Sequence, residues 1–148
     1  MATLAYNKRA KFDYFLEATY EAGMVLTGAE VKSIRAGRIS LADSFVRLKN
    51  NEAFLINAYI APYNFADNRS YDPRRERKLL LHRKQTEQLA SKTGGKSTTI
   101  VAISMYEKNN TIKLQIAIGR GKKQYDKRAA IKKREIDAKI RQSTKVYK

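Results

Sequence analysis

The sequence predicts a mainly β fold: a small, closed antiparallel β-barrel with short peripheral helices and a basic C-terminal tail. Three observations lead there. Residues 44–60 and 98–118 each read as two strands joined by a turn that contains Asn-Asn. Only two short helical patterns stand beside them, so about five strands must close on one another or leave bare edges. The charge is also lopsided. The 148 residues carry 31 Lys and Arg against 14 Asp and Glu, a formal net charge of +17. The last thirty, Gly119 to Lys148, hold 12 basic residues against 3 acids. That split defines a body of residues 1–120 and a tail of 121–148. A flat sheet with helices on one face is the alternative to closure.

In chain order, Phe12 to Leu26 is rich in aromatic and β-branched residues and predicts one long strand, bent or bulged near Ala22-Gly23. Gly28 to Gly37 predicts a short helix. Thr27 can cap it, Glu30 completes a capping box and Gly37 suits the C-terminal stop. Val31 and Ile34 then share a face. Ser44–Lys49 alternates apolar and polar residues, residues 50–52 turn, and Ala53–Ile60 returns; Pro62 ends the hairpin. Residues 64–73 have no period and read as a loop. Leu79 to Lys92 predicts a helix with Leu80, Leu81 and Leu89 inward, stopped by Thr93-Gly94-Gly95. Residues 98–107 and 111–118 form the second hairpin, where Ile112, Leu114, Ile116 and Ile118 alternate with Lys113, Gln115 and Ala117. A closed sheet of this size suggests a barrel of the oligonucleotide-binding type. In the tail, Asp126 to Arg141 favours helix, with Glu135 and Lys139 paired. Its apolar stripe, Ile131, Ile136 and Ile140, is thin. The expectation is a tail disordered when free and helical against a phosphate-lined surface.

Much chemistry is missing. Without cysteine there is no disulfide, thiolate zinc site or cysteine nucleophile. No apolar run approaches the ~20 residues of a membrane span, and the N-terminus lacks a signal-like apolar core; a cytoplasmic protein is expected. Gly95-Lys96-Ser97 ends like a phosphate-binding loop, but Ala90 stands where that motif needs glycine. His82 is the single histidine and has no orienting partner by spacing. The acids are scattered. No enzyme, no metal site and no cofactor is expected.

What is present is cationic. A large positive excess repels itself unless a polyanion answers it, and DNA, RNA and anionic lipid are the classes of polyanion that fit. Residues 72–84 form a knot with six basic residues and two acids. Arg74, Arg75, Arg77 and Lys78 are candidate phosphate ligands, with Pro73 stiffening their approach. The alternative is a solvated helix start paired with Asp72 and Glu76. Tyr59, Tyr63, Phe65 and Tyr71 interleave with this region as candidate stacking faces, or as core. Lys8 and Arg9 sit in a smaller knot, and Lys32 and Arg35 lie on the face of the first helix. His82 adjoins the large knot as a contact for backbone or RNA. Gly119-Arg120-Gly121 permits a hinge between body and tail.

Five motifs now stand in order: NKRA at 7–10, YEAG at 20–23, GAEVKSIRAG at 28–37, DPRRERKLLLH at 72–82 and GKKQYDKR at 121–128. Together they resemble the bacterial SsrA-binding (SmpB) family over essentially the whole chain. That resemblance implies an oligonucleotide-binding-type barrel that binds transfer-messenger RNA (tmRNA) in trans-translation, the rescue of ribosomes stalled on mRNA without a stop codon. It implies that the body holds the tRNA-like part of tmRNA. The tail would enter the empty mRNA channel of the 30S subunit at the decoding centre. Alanyl-tRNA synthetase and elongation factor Tu would be engaged through the RNA, and no membrane would be involved. By matching position, Asn7, Glu21 and Leu80 look like RNA-binding determinants. Gly121, Lys122 and Lys123 match a hinge, Tyr125 a stacking position, and Asp126, Lys127 and Arg128 an essential triplet; Lys132, Lys133 and Arg134 extend that ribosome-facing set. Two departures are modest. Six residues precede NKRA where relatives often carry a longer basic leader, and Ala29 stands where Thr or Trp is common. A general rRNA-binding protein, a nuclease and a membrane-surface helix are the rivals; motif order argues against the first, the lack of metal-binding acids or a histidine pair against the second, and the thin apolar stripe of the tail against the third.

Overall fold

Alternation of apolar and polar residues fixes which way each strand faces, and the sheet so built closes on itself. The computed structural model describes residues 2–63, 69–94 and 98–121. In chain order the elements are β1 (Ala2–Tyr6), α1 (Ala10–Asp13), β2 (Tyr14–Met24), α2 (Gly28–Arg35), β3 (Ile39–Ser40), β4 (Phe45–Lys49), β5 (Glu52–Ile56), β6 (Tyr59–Ile60), β7 (Arg77–Leu80), α3 (Arg83–Lys92), β8 (Thr98–Lys108) and β9 (Thr111–Gly121). Strands β8, β4, β5, β7, β2 and β9 follow one another around a ring, and β9 pairs back onto β8 to close it. All these pairings are antiparallel. Strand β4 is registered with β8 only at Val46–Ile100, and β1 takes the other end of that edge, with Thr3 opposite Tyr106. The closed barrel with peripheral helices is therefore as expected, and a flat sheet is excluded.

The ring interior is apolar. Ile112, Leu114, Ile116 and Ile118 of β9 are all buried, as their alternation predicts, and they meet Ala22, Leu55, Leu79 and Ile100. Each such Leu or Ile stabilises the fold by roughly 1.5–3 kcal/mol relative to exposure. Helices α2 and α3 each press one residue, Ile34 and Leu89, fully into this core. Both hairpin turns, Asn50-Asn51 and Asn109-Asn110, have two consecutive positive φ angles, which Asn tolerates and which match strand twist. Helix α2 has its predicted capping box. The Glu30 N–H donates to Thr27 Oγ1 at 3.1 Å, and the Thr27 N–H donates to Glu30 Oε1 at 3.0 Å. Gly37, at φ 77°, stops it.

Several elements differ from the sequence reading. Helix α1 occupies residues 10–13, so β2 begins at Tyr14 rather than Phe12. The irregularity in β2 lies between Leu16 and Thr19, while Ala22 and Gly23 stay in register with Leu114 and Lys113. Asn57, at φ 64°, breaks the expected return strand, and Tyr59-Ile60 leaves as β6 to pair with β3 in a small second sheet. Residues 79–92 are not one helix. Strand β7 ends at Leu80, and α3 begins after His82, whose N–H donates to Gln85 Oε1 at 3.1 Å. Strand period therefore governs the leucines: Leu79 is buried and Leu80 is 53% exposed. Strand β1 had no predicted counterpart.

Candidate RNA interface

Strand geometry sorts the basic knot into two populations. In β7, Arg77 and Leu79 point inward and Lys78 and Leu80 outward. Arg77 is fully buried beside Glu30, itself 1% exposed. Its Nη2 lies 2.7 Å from Glu30 Oε2, and Nε donates to the same oxygen at 2.9 Å. Nη1 donates to the Ala58 carbonyl, and Nη2 also donates to the Pro73 carbonyl and the Tyr71 hydroxyl. Arg75 forks onto Glu30 from the outer side. Burial alone would push the Glu30 carboxyl up; Arg75, the Thr27 N–H and Arg77 outweigh it and hold the group below its ordinary value of 4.5. Burial and the Glu30 charge push the Tyr71 phenol up.

The phosphate role read for Arg77 is thereby corrected. A guanidinium with no exposed surface and each of its nitrogens already bonded to a protein acceptor offers nothing to a phosphate; it ties β7 to α2. Arg75, one-third exposed, is also tied to Glu30. Tyr71 donates its hydroxyl to the Ile60 carbonyl at 2.9 Å and belongs to the same network. The outward residues remain. Arg74 is exposed, lies over the Tyr59 ring at 5.4 Å, and donates to the Asn57 carbonyl at 2.9 Å. Lys78 is exposed, 3.3 Å from Glu52.

Beside β7 an open cleft of about 970 Å³ is lined by Glu21, Gly23, Lys78, Leu80, His82 and Lys113, among others. The fold thus brings together four of the expected residues: Glu21, Lys78, Leu80 and His82. Gly23 faces Leu80 in the strand pair, and a Cβ there would sit 3.3 Å from Leu80 Cβ and 3.7 Å from Lys113 Nζ. Glycine therefore leaves Leu80 and the lysine room to lie close over the strand. At the wall, the Tyr106 hydroxyl donates to Glu21 Oε2, and Lys108 Nζ stands 3.5 Å from Oε1. The Tyr106 hydrogen bond, with the Lys108 and Lys113 charges, holds the Glu21 carboxyl below its ordinary value against a smaller effect of desolvation. Burial and Glu21 together push the Tyr106 phenol up to about 12. The sequence reading passed over Tyr106, Lys108 and Lys113. The available signal was the outward half of the alternation in the second hairpin.

Asn7 stands elsewhere. It is 8% exposed, its Nδ2 donates to the Ala102 carbonyl at 3.0 Å, and its N–H donates to the Ile103 carbonyl at 2.8 Å. It fastens the end of β1 to β8. Asn7 and Arg9 line a second cleft, of about 440 Å³, that shares no residue with the first. Lys8 is exposed, and Arg9 lies over Phe12 at 4.7 Å. On α2, Lys32 lies over the Tyr63 ring and Arg35 pairs with Glu107 at 2.7 Å. Gly121 ends β9, opposite Tyr14. Phe65, and Lys122, Lys123, Tyr125, Asp126, Lys127, Arg128, Lys132, Lys133 and Arg134 of the tail, lie outside the described residues. Among the described residues no helix is long and apolar enough to cross a membrane.

A closed β-ring, cations spread over its outside, and a cleft with an exposed leucine between lysines and a carboxylate are the build of a small RNA-binding barrel. The comparisons narrow that class. The family profile described as SmpB protein matches residues 4–146. The SsrA-binding protein of Shouchella clausii is 46% identical over 142 residues, 96% of this chain and 91% of the relative. That of Rubrobacter xylanophilus is 46% identical over 145 residues, 98% and 97% of the two chains. That of Thermobifida fusca is 50% identical over 133 residues, 90% and 83%. A solved structure described as "tmRNA-SmpB: a journey to the center of the bacterial ribosome" is 42% identical. It superposes with a TM-score of 0.67 and covers 80% of this chain and 84% of that one. The chain belongs to the SmpB family.

Proposed function

We infer that the chain is a tmRNA-binding adaptor of trans-translation, acting in the cytoplasm and without catalytic chemistry of its own. It delivers tmRNA to ribosomes stalled on mRNA without a stop codon. The body, residues 1–120, binds the tRNA-like domain, and the tail, 121–148, probes the empty mRNA channel and decoding centre of the 30S subunit. Alanyl-tRNA synthetase and elongation factor Tu join through the RNA. The observation that carries this reading is the extent of the likeness: identity near 46% to SsrA-binding proteins runs along nearly the whole chain, and the family match reaches residue 146, into the tail. The cleft supports it by placing Glu21 and Leu80 side by side with Lys78 and Lys113. RNA contact in the body is assigned to Lys8, Arg9, Glu21, Lys32, Arg35, Arg74, Lys78, Leu80 and His82, with Asn7, Arg75 and Arg77 holding the scaffold.

Competition binding with the full chain tests it. Labelled tRNA-like domain of tmRNA is challenged with excess tRNA and rRNA fragments at near-physiological salt, because phosphate contacts alone give salt-sensitive, sequence-blind affinity. Survival of the complex supports the adaptor; ready displacement by bulk RNA makes the chain a general RNA binder. Replacing Asp126, Lys127 and Arg128 together should abolish tagging of stalled peptides while leaving tmRNA affinity within a few-fold. A large affinity loss would refute the division into body and tail.

A further inference from the structure

A carboxylate in the wall of an RNA-binding cleft needs a reason, since it repels phosphate. Glu21 has a specific geometry. Its Oε2 accepts the Tyr106 hydroxyl and its Oε1 faces Lys108 at 3.5 Å, so both oxygens are held. Each carboxylate oxygen offers two lone pairs, so one on each remains for a ligand. The side chain is 38% exposed and lines the cleft, whereas Tyr106, its hydrogen-bond donor, is not among the lining residues.

An ionised carboxylate only accepts hydrogen bonds, and two fixed oxygens accept best from two adjacent donors. Among the four RNA bases, only guanine carries adjacent donors, N1–H and N2–H, on its Watson–Crick edge. That edge is exposed only when the base is unpaired. The rest of the cleft suits such a base. Leu80 is an exposed apolar platform and Lys113 stands beside it for the flanking phosphate. We propose that Glu21 reads an unpaired guanine of the bound RNA and that Tyr106 is the positioning residue that holds its carboxylate for that contact. The inference rests on the tmRNA reading of the same cleft and adds the base class and the second residue. Without the phenolic hydroxyl, Glu21 regains rotamer freedom that binding must then remove.

The test uses the full chain and the tRNA-like domain of tmRNA, with inosine placed at each unpaired guanosine in turn. Inosine keeps N1–H and lacks the N2 amino group. One position should weaken wild-type binding about tenfold, the worth of one hydrogen bond to a charged acceptor at its low end. That penalty should vanish in Glu21→Ala and shrink to about threefold in Tyr106→Phe. Tyr106→Phe should bind the inosine RNA within twofold of wild type, which a merely unfolded or loosened variant would not. If no inosine position costs wild type more than twofold, the guanine reading is wrong. If the penalty survives in Glu21→Ala, another residue reads the base. An equal penalty in wild type and Tyr106→Phe overturns the positioning role. The unsubstituted domain is also challenged with rRNA. Preference for it without any inosine penalty sinks this inference alone, whereas no preference sinks the tmRNA reading itself.

Discussion

Replacing Arg77 with Met separates a core arginine from an RNA-binding one. Met keeps the aliphatic body and removes the fork, and with it hydrogen bonds to Glu30, Ala58, Pro73 and Tyr71. Glu30, 1% exposed, is left with Arg75, the Thr27 N–H and the Tyr71 hydroxyl. Breaking a buried ion pair from one side costs about 3–5 kcal/mol. Because Arg75 stays on the carboxylate, the lower end applies, about 3 kcal/mol. For a body of this size that is a fall in Tm of roughly 10 °C. The assay is a thermal melt and a urea titration of the full chain, beside binding of the tRNA-like domain at a temperature where both proteins are folded. Affinity should stay within about threefold. Arg74→Met, which alters an exposed guanidinium, should show the opposite pattern: little change in Tm and weaker binding. Adding Glu30→Gln to Arg77→Met should restore part of the stability, about 1 kcal/mol or more, because the uncompensated charge is gone. The reasoning fails if Arg77→Met melts within about 2 °C of wild type, or if it loses tenfold in affinity while still folded.

Three further outcomes are expected. The Glu30 carboxyl titrates lower in the folded chain than unfolded, so its ionised form favours folding; that gain is full above about pH 4.5 and is lost as pH falls through the lower folded value. The stability gap between wild type and Glu30→Gln should therefore narrow in urea titrations run from about pH 5.5 down to pH 3, and a gap that widens would contradict this. Gly119→Ala places a Cβ 3.0 Å from Tyr14 Cβ and 3.1 Å from its Cγ, and should cost about 1–3 kcal/mol, in part recovered by Tyr14→Ala; an unchanged melt would mean that β2 yields there freely. Leu80→Ser should leave stability within about 0.5 kcal/mol, since the side chain is mostly exposed, yet weaken tRNA-like-domain binding about tenfold in a filter assay; equal affinity would remove Leu80 from the interface.

The parts of the fold legible in the sequence were those with one dominant signal. The second hairpin read correctly because Ile112, Leu114, Ile116 and Ile118 recur at every second position, between Lys113, Gln115 and the small Ala117, and its Asn-Asn turn supplies the positive φ angles. Helix α2 read correctly because the Thr27–Glu30 capping box and Gly37 are local. Residues 79–92 misled because Leu79-Leu80-Leu81 fits a helix face as well as a strand, and a four-residue strand is too short for its period to show. Tertiary pairing of β7 with β5 and β2 decided it. Strand β1 and the separation of β6 depend likewise on distant partners, β8 and β3. In the site, Glu21 and Leu80 came from motif likeness, while their neighbours Lys113 and Tyr106 sit on strands far along the chain and became visible only through register.

The basic knot shows why a count of charges overstates what an RNA can meet. Of the four cations at 74, 75, 77 and 78, two are tied to one buried carboxylate. Glu30 is itself placed by the capping box of α2, so a local helix signal fixes the partner of a residue 47 positions away. With Arg77 held inward, strand period forces Lys78 and Leu80 outward beside Gly23, where the missing side chain leaves the cleft open. An uncharged residue at position 77 would leave Arg75 as the one guanidinium on Glu30, held there more firmly, while loosening the strand that presents Leu80. Affinity at low salt would then hold while discrimination between the tRNA-like domain and bulk RNA falls, because the remaining phosphate contacts are sequence-blind and a displaced Leu80 is not. Measuring both quantities on Arg77→Met at two salt concentrations separates these effects; joint loss of affinity and discrimination would instead return Arg77 to the interface.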